Sequence, residues 1–207
     1  MAYDLQAATT ALLLVDVQEE YFDPTGPASF PEASAKLPAI NELIDAFSSQ
    51  GAPIIYIRHV HRASGADAGR MGDFSAEGEE DSFLEGGARV GYHAGLHIVD
   101  EPIELTKTRY DSFIGTDLDG ILRTLGIRTV VITGYMTSFC CDTTTRSAHG
   151  HDYETVFALD AVGGPDLEHL DGTPYPSAEV LADVAAALAA GFAEVLTNKE
   201  IVERLHA

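Results

Sequence analysis

Only two cysteines, Cys140 and Cys141, occur in the 207 residues, and they are neighbours. Adjacent cysteines staple no loop, so a disulfide framework is excluded, and they could join only in a strained ring, which makes a redox pair the least favoured reading. Reactive or packed thiols remain. Long apolar runs are missing too, and the opening MAYDLQAATT lacks the basic-then-apolar order of a secretory signal. A cytoplasmic location without a membrane partner is expected. Cations are scarce: 12 Lys and Arg stand against 33 Asp and Glu, a net charge of −21, and Lys36, Lys107 and Lys199 are the only lysines. Such a surface repels nucleic acid, and no basic patch offsets it. No internal repeat or linker breaks the chain, so one domain over residues 1–207 is expected.

What is present is an alternation of strands and helices. Ala11 to Val17 (ALLLVDV) is a continuous apolar run with one acid, Asp16, the mark of a strand covered on both faces. Ser34 to Gln50 sets Leu37, Ile40, Leu43, Ile44 and Phe47 on one helical face, stopped by Gly51. Strands follow at Pro53 to Ile57 and Glu104 to Lys107. Thr116 to Asp119 resembles a capping box opening a helix with Leu118, Ile121, Leu122 and Leu125 turned to the core. Thr129 to Thr133 reads as a buried strand ended by Gly134, with Thr137 or Ser138 as N-cap of the next helix. Tyr153 to Leu159 and Ala193 to Thr197 are further strands. Between them a loop from Asp160 to Tyr175 leads to a helix capped by Ser177, and a short terminal helix closes the chain. The order predicts a three-layer α/β/α sandwich around a mostly parallel, doubly wound, Rossmann-like sheet. Residues 62–95, rich in glycine and acids, show no periodicity. A loop that long suits a lid or interface element.

Ligands in such folds bind beyond the carboxyl ends of the strands, where Asp16, His59, Lys107 and Cys140 all fall. A carboxylate in an apolar strand needs a cation, and Lys107 stands in the same kind of place. Cys140, in the first turn of its helix, is a candidate nucleophile favoured as thiolate by the helix dipole.

LLLVDVQEEYF with Asp16, LTKTRYDSFIGTDLDGIL with Lys107 and GYMTSFCCDTTTRSA with Cys140 resemble, in order and spacing, the three signatures of isochorismatase-like cysteine hydrolases. The resemblance runs from about Ala11 to Val162. It implies a catalytic Asp16–Lys107–Cys140 triad, with Lys107 holding Asp16 ionised and helping depress the thiol. The family glycine matches Gly134, and the nucleophile six residues later is Cys140. One residue turns a helix by about 100°, so Cys141 faces elsewhere, as a packed small hydrophobe. The resemblance also implies a cis Tyr135–Met136 peptide and an oxyanion hole from the Met136 and Cys140 N–H groups. The expected reaction is thioester-mediated hydrolysis of a C–N bond in a small amide, carbamoyl or ureido compound. The alternatives are isochorismatase-type vinyl-ether hydrolysis with Asp16 as general acid, and a non-catalytic binding module.

Gln18, Phe22, His59, Tyr110, Phe113, Tyr135 and Phe139 adjoin the motifs and are candidates for the substrate pocket. His59 and His61 project to one side of an extended segment. The family's nicotinamidase branch binds metal near this place, but with Asp-x-His where this chain has His59-Val-His61. His59 and His61, with His93 or His97 as a third ligand, are weak metal candidates, and neither metal nor cofactor is expected. The family implies a homodimer or homotetramer. The acid surplus also suits a salt-rich habitat, where screening tolerates self-repulsion. The urea midpoint should therefore rise from low to molar salt, and a flat response would remove that reading.

Overall fold

β1 (Thr10–Val15, TALLLV) is buried at every position, and its side chains divide between two cores. Leu12 and Leu14 join one apolar cluster, while Ala11, Leu13 and Val15 join the other. That two-residue period, apolar on both faces, is what makes β1 a central strand. A computed structural model describes residues 2–74 and 82–206. After β1 come α1 (Glu32–Ser49), β2 (Ile54–His59), β3 (Ile103–Lys107), α2 (Leu118–Thr124) and β4 (Thr129–Tyr135). A π-helical turn, Thr137–Cys141, runs into α3 (Asp142–Gly150). Then follow β5 (Glu154–Gly163), the short hairpin of β6 (Leu167–Glu168) and β7 (Pro174–Tyr175), α4 (Ser177–Ala189), β8 (Glu194–Leu196) and α5 (Asn198–Arg204).

Six strands form one parallel sheet in the order β3-β2-β1-β4-β5-β8. The cluster holding Leu12 and Leu14 takes in α1 through Ile40, Leu43, Ile44 and Phe47, and α5 through Ile201. The opposite cluster takes in α2 through Leu118 and Leu122, α3 through Ala148 and α4 through Leu188. This is the expected three-layer sandwich. Chain order reverses between β1 and β4, so a crevice opens beyond their carboxyl ends. No helix among the described residues is long and apolar enough to cross a membrane.

Several boundaries differ from the sequence reading. Gly134 lies inside β4 rather than ending it, with φ +112°, and its α-carbon packs against the Val15 backbone. A glycine was needed there for close approach of two strands, not for a turn. The next helical turn starts after Met136, and neither Thr137 nor Ser138 caps it by side chain. The capping box at Thr116–Asp119 does not form. Thr116 Oγ1 accepts from Leu118 N at 3.3 Å, while Asp119 accepts from Arg123 Nε at 3.0 Å and from the Tyr153 hydroxyl at 2.8 Å. Leu125, expected in the core, is 40% exposed because the helix has already ended. Ser177 is the first helical residue instead of the cap, and its N–H donates to Asp166 Oδ1 at 2.7 Å. The best-formed cap is Thr197 with Glu200, a reciprocal box at the start of α5.

Gly134→Ala would drive Cβ into the Val15 carbonyl at an unfavourable φ, and a loss of about 3 kcal/mol or more in urea unfolding is expected. Gly51→Ala is the control: φ is also positive, at +68°, but nothing lies within 4 Å of the new Cβ. Its cost should stay near 1 kcal/mol. Equal losses at the two glycines would contradict the close-approach account.

Candidate active site

Each strand around the reversal point delivers one reactive group from its carboxyl end. Asp16 follows β1 directly in a left-handed turn, φ +52°, with its N–H bonded to Ile57 O at 3.0 Å and its carbonyl accepting from Gln18 N at 2.8 Å. His59 ends β2 and is paired in register with Lys107 at the end of β3. β3 lies two strands from β1, roughly 10 Å across the sheet, so a long flexible stem is required to bring a cation back to Asp16. Beyond β4 the Tyr135–Met136 peptide is cis, as expected, and the π-helical turn then presents Cys140.

The three groups meet. Lys107 Nζ lies 2.7 Å from Asp16 Oδ2 and donates to Cys140 Sγ at 3.2 Å and to Arg109 O at 3.0 Å. The contact with Oδ2 is an ion pair approached off the axis of a directed hydrogen bond. Asp16, Lys107 and Cys140 are all essentially inaccessible to solvent. Burial pushes the Asp16 carboxyl above its ordinary value, against the pull of Lys107. Burial also pushes the Cys140 thiol up to about 12, with Asp16 adding to the rise and Lys107 opposing it. For Lys107, burial works downward, but Asp16 and Cys140 outweigh it and hold the ammonium above its usual range. The expectation of a depressed thiol is therefore corrected: Lys107 does favour thiolate, but desolvation at full burial is the larger effect. Burial thus favours the thiol form of Cys140, with Asp16 and the Lys107 ammonium held against it.

Cys140 opens onto a cavity of about 180 Å³. Tyr21, His59, His61, Tyr110 and Met136 line it from the strand ends. Gly65, Ala68, Met71 and Gly72, then Ser82, Phe83 and Leu84, roof it from the long loop. The roof is tied down where His61 N donates to Phe83 O and Glu85 N to His61 O, both at 2.7 Å. Arg109 Nη1 donates to Asp67 O at 2.7 Å and fastens the other arm. Residues 75–81 of the expected loop lie outside the described residues.

Of the residues proposed for the pocket, His59 and Tyr110 line it; Gln18, Phe22, Phe113, Tyr135 and Phe139 do not. Gln18 instead joins two segments, accepting from His59 N at 2.7 Å and donating to Val90 O at 2.7 Å. Phe22 stacks on His93. Phe113, a member of the opposite core cluster, stacks on the exposed His151. Tyr135 is fully buried and donates to Ala33 O at 2.6 Å. Phe139 packs against Tyr110 with the ring centroids 5.5 Å apart. Nearness in sequence to a motif does not say which side of the sheet a ring takes. Tyr21 was missed although it adjoins Phe22: the short 3₁₀ turn Glu19–Tyr21 rotates it inward. Ser82, Phe83 and Met71 carried no periodic signal at all.

The histidines do not assemble into a metal site. His59 Nε2 and His61 Nε2 face each other at 2.8 Å, a distance that one shared proton fills. His93, bonded through Nδ1 to Glu19 at 2.6 Å, and His97, bonded through Nδ1 to Asp45 at 2.9 Å, do not join them in a group of ligand atoms among the described residues. Ligand atoms of Asp16, His59 and Cys140 lie within 4.8 Å of one another. The Lys107 ammonium already supplies the positive charge there, touching two of the three.

An isochorismatase domain model matches residues 10–197. The chain is 29% identical over 197 residues to the uncharacterized isochorismatase family protein YddQ of Bacillus subtilis, covering 94% of this chain and 99% of that one. It is 30% identical over 183 residues to a ureidoacrylate amidohydrolase, RutB, of Rhizobium rhizogenes, covering 79% of this chain and 74% of that one. A cysteine hydrolase structure from Pseudomonas syringae superposes with a TM-score of 0.92 at 27% identity, covering 98% of this chain and 95% of that chain. With the crevice at the β1/β4 reversal and a domain match over nearly its whole length, the chain belongs to the isochorismatase family of hydrolases.

Proposed function

We propose that this protein is a cysteine amidohydrolase that cleaves a C–N bond of a small amide, carbamoyl or ureido compound. The observation that carries the reading is the single ammonium, Lys107, in contact with both Asp16 Oδ2 (2.7 Å) and Cys140 Sγ (3.2 Å) at the head of a cavity. A resting thiol needs its proton removed as it attacks. Asp16, raised by burial towards the useful range for proton exchange, is the acceptor. Cys140 Sγ adds to the carboxamide carbon while the Met136 and Cys140 N–H groups receive the developing oxyanion. Asp16 then gives the proton to the leaving nitrogen, leaving a thioester on Cys140 and releasing ammonia or an amine. Water attacks that thioester with its proton passing to Asp16, and the acid and the free thiol are restored. Lys107 stays an ammonium throughout and offsets the negative charge on Asp16 whenever that carboxyl is ionised.

A carboxyl raised by burial also suits a general acid, which favours vinyl-ether hydrolysis as the second reading. Cys140→Ala separates the two. Ammonia release from carboxamides should fall by roughly 10⁴-fold or more. Vinyl-ether turnover retained within tenfold of wild type in Cys140→Ala, with loss in Asp16→Asn, would instead support the ether hydrolase.

The acid limb of kcat/KM reports Asp16, which must be ionised to accept the thiol proton. Because burial raises it, that limb should lie above the ordinary aspartate value of about 3.9. An inflection at or below that value would contradict the assignment. Removing the cation leaves a buried carboxylate alone, so Lys107→Met should lower stability in urea by about 3–5 kcal/mol. Adding Asp16→Asn should restore part of the loss. Unchanged stability in the single variant would show that the ion pair is not seated in the core.

A further inference from the structure

None of the described residues lining the cavity is a lysine or arginine. The Lys107 ammonium beside Cys140 is already shared among Asp16, Cys140 and the Arg109 carbonyl. Arginines of the surrounding segments have partners of their own: Arg109 donates to the Asp67 and Thr108 carbonyls, Arg70 pairs with Asp73 and Arg89 with Glu20. Residues 75–81, SAEGEED, contribute four acids and no base to the sequence. The two imidazoles at the wall share one proton between their Nε2 atoms at 2.8 Å, so at most one of them can be cationic, and it would stand near the Lys107 ammonium. Burial leads the causes that hold both rings below their ordinary titration range, His59 well below it. What the wall does offer is apolar surface (Met71, Phe83, Leu84) and, among the described residues, two buried polar atoms without a hydrogen-bond partner, His61 Nδ1 and Ser82 Oγ. Ser82 Oγ is buried, 6% exposed, and has no hydrogen-bond partner.

We infer that the site selects an uncharged carboxamide with a compact apolar acyl group and excludes acyl groups that end in a carboxylate, the Ser82 hydroxyl giving the bound amide a neutral hydrogen-bond partner. This rests on the amidohydrolase reading and narrows it. An apolar cavity of about 150 Å³ accommodates benzene, so 180 Å³ sets the enclosed part of the ligand at about six non-hydrogen atoms. A carboxylate entering this wall would lose its water without meeting a cation. The ureidoacrylate named for the RutB relatives carries a carboxylate, which sets this chain's substrate apart from theirs.

Pentanamide and succinamate test this directly, since they match in length and differ in the terminal charge. Wild-type kcat/KM for pentanamide should exceed that for succinamate by roughly 100-fold or more, the cost of an unpaired buried charge. Calorimetric binding to Cys140→Ala should show the same order without turnover. If neither compound is hydrolysed yet pentanamide alone binds, the amidohydrolase reading fails and the selection stands. If succinamate binds or reacts as well as pentanamide, the selection is wrong whatever the chemistry. Molar salt screens the field of a −21 protein but does not hydrate a cavity. The preference should therefore persist there, and its collapse to parity would overturn the cavity as its cause. Ser82→Ala should weaken pentanamide binding roughly fivefold to tenfold, the worth of one neutral hydrogen bond. An unchanged affinity would remove Ser82 from the account.

Discussion

A single ammonium group buried at the reversal point of a parallel sheet is the constraint around which this molecule is arranged. Lys107 Nζ reaches Asp16 and Cys140 at once, and none of the three side chains meets solvent. Stripping such charges of water costs several kcal/mol each, and only short contacts among them offset it. That demand explains several local choices together. Asp16 takes a left-handed backbone, Gly134 brings β4 hard against Val15, and Lys107 spans from two strands away. Relaxing any one of them would part the cation from a partner.

Desolvation also decides the chemistry. With Cys140 raised to about 12, thiolate is not stored in the resting protein. The reactive species has to be made during attack, and the neighbouring carboxyl, itself raised, is poised to take the proton. Isochorismatase-family membership supplies hydrolysis. The identity of the bond cleaved follows, on the proposed reading, from a nucleophile and a base held by the same cation.

How much of this could be read from the chain depends on the kind of signal. Strands of the parallel sheet announce themselves as continuous apolar runs, so an acid or a lysine at their ends stands out by chemistry alone. Asp16, Lys107 and Cys140 were legible for that reason, and so was the pairing of His59 with His61, which share one side of an extended segment. Rings were not. Phe22 and Phe113 adjoin the same motifs yet stack on His93 and His151, because sequence distance says nothing about which layer a side chain enters. The roof was invisible residue by residue. Its cavity wall is made by loop positions such as Met71, Ser82 and Leu84, held by backbone bonds like those between His61 and residues 83 and 85, which leave no period to detect. The depressed thiol was misjudged because local dipole and cation were countable from sequence, whereas the depth of burial was not.

Mass spectrometry of enzyme quenched in acid during turnover of a carboxamide tests the central claim most directly. The account predicts an acyl group on the peptide containing Cys140 and Cys141, assigned by fragmentation to Cys140 and lost in Cys140→Ala. An adduct on Cys141, or turnover with no covalent species under burst conditions, would contradict it.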